Sequence, residues 1–178
     1  LIVPEGQLTI ASTAMTSSAA DLNQLDGKVA KTAGLETIWV PATAMSPTTT
    51  NGCTALASVE TTAGKPDMVV LAFPVAADSF AQFSLAFPKS YNLGTVTYQV
   101  FWSGIAATTN GNWTVQAVAI SNDTSIDATY GTAVAVTDAA QGAVEELNVS
   151  AVSGALTIGG SVADDDLCVF RIGRDVSA

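Results

Sequence analysis

The chain has 178 residues and contains no histidine. That absence removes the Ser-His-Asp and Cys-His nucleophile systems and the commonest transition-metal ligand together. Cations are scarce as well. Lys28, Lys31, Lys65, Lys89, Arg171 and Arg174 are set against 16 acidic residues, for a net charge of −10. They form no basic stripe, which argues against a nucleic-acid partner. The acidic excess is read as a source of solubility and mutual repulsion. No stretch of 18 or more apolar residues is present, so no membrane insertion is expected. The N-terminus lacks the basic start and apolar run of a signal peptide, and Leu1 is no initiator methionine. A fragment or processed product is therefore expected. Cys53 and Cys168 are too few for a disulfide framework and have no CxxC spacing. They are read as buried free thiols, or as a pair if the fold brings them within reach.

Charge is thin overall: 12% of residues are charged and 48% are hydrophobic. Threonine, alanine and serine stand where lysine and glutamate usually cover a surface. Two readings stay open: small neutral residues simply cover the surface, or part of it is buried against other copies in a homo-oligomer. The length suits one sandwich or barrel with an N-terminal appendage, and a domain of this size buries roughly 70% of its unfolded surface.

Residues 1–36 read as an N-terminal stem or attachment region. Pro4 and Gly6 keep the first residues extended. Ser18 and Asp21 approximate a capping box, and Gly27 stops a short helix after Leu22 and Leu25. Met15, Leu22, Leu25 and Val29 follow steps of seven, three and four, a coiled-coil seam weakened by Ser18 and Thr32. Either partner chains pack on that seam, or a solitary capped helix lies on the β-domain.

From residue 37 onward the pattern belongs to a β-sandwich head, 37–178. Residues 34–66 are linker-like, with one strand expected at Thr37 to Pro41 and another at Val59-Glu60. Met45 to Gly52 reads as a turn-rich loop. Met68 to Phe73 is a continuous apolar run, as in a strand buried on both faces. Ser79 to Phe87 alternates, placing Ala81, Phe83, Leu85 and Phe87 on one face. Thr95 to Trp102 does so with Val96, Tyr98, Val100 and Trp102, and Asn112 to Ile120 with Trp113, Val115, Ala117 and Ala119. Strands at 132–136, 145–152, 155–158 and 167–172 complete the series, punctuated by glycine turns. Short strands at this spacing predict a mainly β, antiparallel sandwich of jelly-roll type.

Carboxylates are the remaining catalytic candidates, in Asp164-Asp165-Asp166 and Glu145-Glu146. Glycoside hydrolysis needs two of them about 5–10 Å apart; the competing reading is solvated turns. Asn122 to Asp127 and Asp164 to Asp166 offer oxygen ligands to a hard cation, but neither matches an EF-hand loop. Self-bonded Asx turns are the alternative. No catalytic residue, cofactor or metal is assigned. Trp39, Tyr98, Trp102 and Trp113 offer flat faces for a sugar, or else fill the core or a subunit interface. Tyr91 and Tyr130, near turns, are the candidates for receptor contact. Asn112, Asn122 and Asn148 head N-glycosylation sequons, which matter only in a secretory context.

The run Ala19-Ala20-Asp21-Leu22-Asn23-Gln24-Leu25-Asp26-Gly27 resembles the AAELNxLDG element of bacteriophage tail-fibre and related virion fibre proteins, with Gln24 in the variable position and Asp21 replacing the glutamate. The stretch from Ile38-Trp39-Val40-Pro41-Ala42 to Phe170-Arg171-Ile172-Gly173-Arg174-Asp175 is similar in pattern to β-sandwich domains attached to phage fibres. The resemblance implies a virion structural protein, made in the bacterial cytoplasm and assembled as a parallel trimer. Its N-terminal region would meet other virion proteins, and its head would serve attachment to a host-surface glycan or protein. A capsid head fibre, decoration or tail connector with a purely architectural role is the alternative. A glycan-degrading fibre enzyme is a remote third.

Overall fold

The computed structural model describes residues 9–10, 13–14, 36–105 and 110–177. The capped helix and the seam of Met15, Leu22, Leu25 and Val29 lie outside the described residues. The chain divides into two compact units, Leu1–Trp39 and Val40–Ala178. In the first, β1 (Thr9–Ile10) pairs antiparallel with β2 (Thr13–Ala14).

The second unit is mainly β and antiparallel, as the alternation predicts. Its regular helical structure, among the described residues, is one 3-10 turn at Ala42–Ala44. No described helix is long and apolar enough to cross a membrane. The strands are β3 (Ser46–Pro47), β4 (Ala57–Glu60), β5 (Asp67–Val70), β6 (Ser79–Leu85), β7 (Phe101–Trp102), β8 (Gly111–Ile120), β9 (Val134–Asp138), β10 (Asn148–Val149) and β11 (Leu167–Arg174). A main sheet of five strands runs β3-β6-β11-β8-β9. The alternation read from the sequence holds for Ala81 on β6 and for Trp113, Val115, Ala117 and Ala119 on β8, and β11 adds Cys168, Phe170 and Ile172 to the same buried cluster.

The facing layer is a ribbon of residues 96–102 against 148–156. Trp102 pairs with Asn148 and Phe101 with Val149, while Val96 meets Leu156 further on. Between these points the second strand holds two residues more than the first. Serine side chains bridge the mismatch. Val100 N donates to Ser150 Oγ at 2.9 Å and Tyr98 N donates to Ser153 Oγ at 3.0 Å, where a ladder would offer carbonyls. Val100 and Leu156 from this layer, with Ile158 just beyond it, are buried with the inward residues of the main sheet, an arrangement consistent with a β-sandwich. Phe73 meets Trp113 edge-on at 5.2 Å, and Phe83 stacks on Phe170 at 5.1 Å. Tyr98, Trp102 and Trp113 belong to this core, whereas Trp39 is exposed. Cys53 and Cys168 are buried free thiols.

Local expectations change: the strand expected at Thr95 to Trp102 is regular only at Phe101–Trp102, residues 155–158 supply a bridge at Leu156 and no strand, and the loop expected at Met45 to Gly52 holds β3. Residues 37–41 form no strand; Pro41 lacks the N–H a ladder needs and instead precedes the 3-10 turn. The run from Met68 is not buried on both faces. Its leg β5 pairs only with β4 among the described strands, so Met68 and Val69 are exposed, and only Leu71 and Phe73 beyond it reach the core. Glu145 to Val152 shortens to β10, because Glu145 takes the left-handed conformation (φ 65°) and begins the strand late.

Candidate functional site

The outward face of the main sheet is assembled by register. On β11, Arg171 lies between Gln82 of β6 and Gln116 of β8, and Gly173 lies between Phe80 and Thr114. A Cβ at Gly173 would stand 2.5 Å from Phe80 Cδ1, so the missing side chain lets the Phe80 ring lie over the strand. That ring then sits 4.5 Å from the Arg171 guanidinium carbon, and the Tyr130 ring sits 5.0 Å from it. Two aromatic rings thus lie against one cation, an attraction worth about 0.5–2 kcal/mol per ring depending on exposure. With its amide oxygen turned toward the guanidinium, Gln116 accepts from Arg171 Nε at 2.9 Å and from Nη2.

Tyr130 reaches Arg171 because the chain after it is pinned to β8. Gly131 N and Gly159 N both donate to Ala117 O, each at 2.9 Å. At this point β8 exchanges its antiparallel neighbour β9 for a parallel bridge between Val118 and Gly159. Two backbones cross here with no room between them: a Cβ on Gly159 would lie 2.6 Å from Gly131 N. The glycine pair therefore sets where Tyr130 projects.

The result is an open depression of about 210 Å³ walled by Asp78, Phe80, Thr114, Gln116, Arg171 and Asp175. Farther along β8 a second depression of about 460 Å³ mixes five hydroxyl-bearing residues, Ser121, Thr124, Ser125, Thr129 and Ser161, with Val118 and other small or apolar residues. The first offers a cation, two carboxylates and an amide; the second offers neutral hydroxyls. Both can exchange hydrogen bonds with a polar ligand.

The other residues singled out in the sequence are dispersed. Tyr91 stacks on Phe87 at 4.1 Å and its hydroxyl donates to Gly94 O. Its phenol is pushed above the ordinary range by burial, with the Cys168 thiol adding. Tyr91 thus contributes mostly packing, while the Tyr130 ring lies against the Arg171 guanidinium. Asp166 is buried and its Oδ2 accepts from Ala163 N at 2.8 Å. Asp165, left-handed at φ 69°, pairs with Lys89. Glu146 Oε2 accepts from Ala143 N at 2.9 Å, closing a separate turn. In the Asn122–Asp127 segment, Thr124 Oγ1 donates to Ser121 O and Asp127 N to Ser125 Oγ, the pattern of a self-bonded turn. Among the described residues no group of three or more acidic or thiol side chains is arranged to hold a metal. Asn112 and Asn148 are buried, so two of the three sequons offer no accessible amide in the folded domain.

Sequence reasoning passed over Arg171, Phe80 and Gln116. Alternation in β11 already turns Arg171 away from Phe170 and Ile172, and Gly173 nearby signals a close approach. The identity of the strands beside it is set by pairing across distant segments, which the sequence does not display. No protein-family model, curated protein or solved structure matches the chain.

Proposed function

We propose that this chain is a structural fibre protein of a bacteriophage virion, working as a homotrimer whose β-domain attaches to the host surface. The observation that carries the reading is the run Ala19 to Gly27, whose wording resembles the fibre element. The outer face of the main sheet supports it. A rigid sheet presents Arg171, Phe80 and Gln116 in an open depression, with the Tyr130 ring against the Arg171 guanidinium, which suits contact with a surface more than enclosure of a substrate. Three such faces on one assembly multiply weak contacts into useful avidity. The N-terminal region meets other virion proteins, and no chemical step is required of the domain. The local hydrogen bonding of Asp166 and Glu146 within separate turns leaves a glycan-degrading role the weakest of the readings.

An architectural role as a capsid head fibre, decoration or connector is favoured by one observation. The outward side of the 96–102/148–156 ribbon exposes Phe101, Val149 and Val152, with Leu147 beside them, which is surface suited to burial against another virion protein. The two readings separate in an adsorption assay. Under the attachment reading, purified full-length protein added to host cells blocks adsorption of the particle that carries it. Under the architectural reading adsorption is untouched, and antibody to the protein labels the particle body.

A further inference from the structure

The geometry points to the Arg171 depression as a binding site for one neutral sugar unit, with the uncharged hollow along β8, part hydroxyl and part apolar, receiving the next part of the same glycan. It rests on the attachment reading for its biological use, but its chemistry is local. The Phe80 and Tyr130 rings both lie within 5.0 Å of the Arg171 guanidinium carbon and take up room over the group, which leaves its coplanar N–H donors as the polar handle for a ligand. Gln116 accepts from Nε and Nη2, which fixes that plane against the sheet. Asp78 and Asp175 line the same depression; Asp175 Oδ1 accepts from Ser177 N and Oγ, while Asp78, whose Oδ1 accepts from Val176 N at 2.9 Å, offers its second oxygen as an acceptor.

A pair of neighbouring sugar hydroxyls can accept from a guanidinium edge and donate to a carboxylate, and few other small ligands do both. A carboxylate, sulfate or phosphate ligand would satisfy Arg171 but would face two acidic side chains on a chain of net charge −10. An apolar ligand would find no enclosure and would leave the polar walls unpaired. Thr114, Gln116 and Val118 succeed one another on the outward side of β8, and the first two line one depression while the third lines the other. Successive outward positions on a strand are about 7 Å apart. The hollows therefore follow one strand at a pitch that a short oligosaccharide spans, and the second, with Ser121, Thr124, Ser125, Thr129 and Ser161, remains neutral.

The test is saturation-transfer NMR on the full chain with methyl glucoside, galactoside, mannoside and N-acetylglucosaminide as neutral probes, and with glucuronate and N-acetylneuraminate as acidic ones. The expected result is transfer to at least one neutral probe with a Kd of about 1 mM, insensitive to raising salt from about 0.05 to 0.5 M. Tyr130→Ala, Arg171→Ala and Asp78→Asn each weaken binding about tenfold or more. Tyr130 stands outside the main-sheet ladder, so its variant keeps the test valid if Arg171→Ala fails to fold. Transfer only to acidic probes, strengthened by Asp78→Asn and lost in salt, overturns the proposal. So does absence of transfer to every neutral probe, or equal transfer in all variants. If the sugar binds as expected yet the protein does not block host adsorption, the attachment reading fails and the site stands. If adsorption is blocked without sugar binding, the reverse holds.

Discussion

At Gly159 a hydrogen atom occupies the only volume the crossing leaves, since a Cβ there would meet Gly131 N at 2.6 Å and Ala117 O at 3.2 Å. Both neighbours are backbone and neither can swing aside. Gly159→Ala is expected to cost about 1–3 kcal/mol, read as a lower urea midpoint with unchanged slope. Gly173→Ala meets instead the Phe80 ring, a side chain with freedom to rotate. Its cost should be the smaller of the two, about 1 kcal/mol, and its signature is loss of the Phe80–Arg171 stack. Equal costs for the two variants would contradict this account of the crossing. Buried titratable groups make a second residue-level prediction. Burial pushes the Cys168 thiol up to about 11, with the Asp166 carboxylate adding, and pushes the Tyr98 phenol up to about 12. Both groups hold their protons more tightly folded than unfolded. Their contribution is fully present below the ordinary values of 9.0 and 10.0 and is lost as pH climbs toward 11 and 12. Tm should therefore stay level to pH 9 and fall steadily above it. Cys168 should resist a thiol reagent at pH 8 until urea unfolds the domain; rapid labelling of the native protein would contradict its burial.

The ribbon that closes the core depends on side chains acting as ladder partners. Ser150 Oγ accepts from Val100 N and donates to Ala151 O, and Ser153 Oγ does the same between Tyr98 N and Gly154 O. Both serines are buried, so no water replaces a lost hydroxyl. Ser150→Ala and Ser153→Ala should each cost about 1–3 kcal/mol, measured by chemical denaturation, whereas Ser161→Ala on the solvent side should fall within about 0.5 kcal/mol of the parent. These elements also mark how far the sequence could be read. The inward residues of β6, β8 and β11 were legible because period-two alternation and the core coincide there. Val96, Tyr98, Val100 and Trp102 were legible too, although only Phe101–Trp102 makes regular ladder, since alternation reports which face is buried and not which bonds form. Met68 and Val69 misled because an apolar run does not reveal whether other strands exist to cover it; among the described strands β5 pairs only with β4. The Arg171 cradle was illegible for a related reason. Phe80, Gln116, Tyr130 and Arg171 come from four segments, and only the strand order β6-β11-β8 and the Gly131–Gly159 crossing bring them together.

For the whole molecule, low charge and exposed apolar residues need a common explanation. Val152 is 60% exposed and Leu147 64%, on a chain in which only 12% of residues carry charge. The fibre reading accounts for this by burial among copies and against other virion proteins. Light scattering on the full-length protein should return three times the 18.0 kDa of one chain. Replacing Leu22 and Leu25 together with aspartate should lower that mass to a single chain if the seam of Met15, Leu22, Leu25 and Val29 holds the copies together. The charge pattern adds a second expectation: with a net charge of −10, association driven by apolar burial should strengthen in salt as repulsion is screened. Dissociation in salt would point to ion pairs and contradict the account. The most direct test of the central claim is gold-labelled antibody against this protein, viewed on purified phage particles by electron microscopy. The account expects gold at projecting fibre ends of intact particles; bare particles, with the protein recovered only from the host-cell extract, would contradict it.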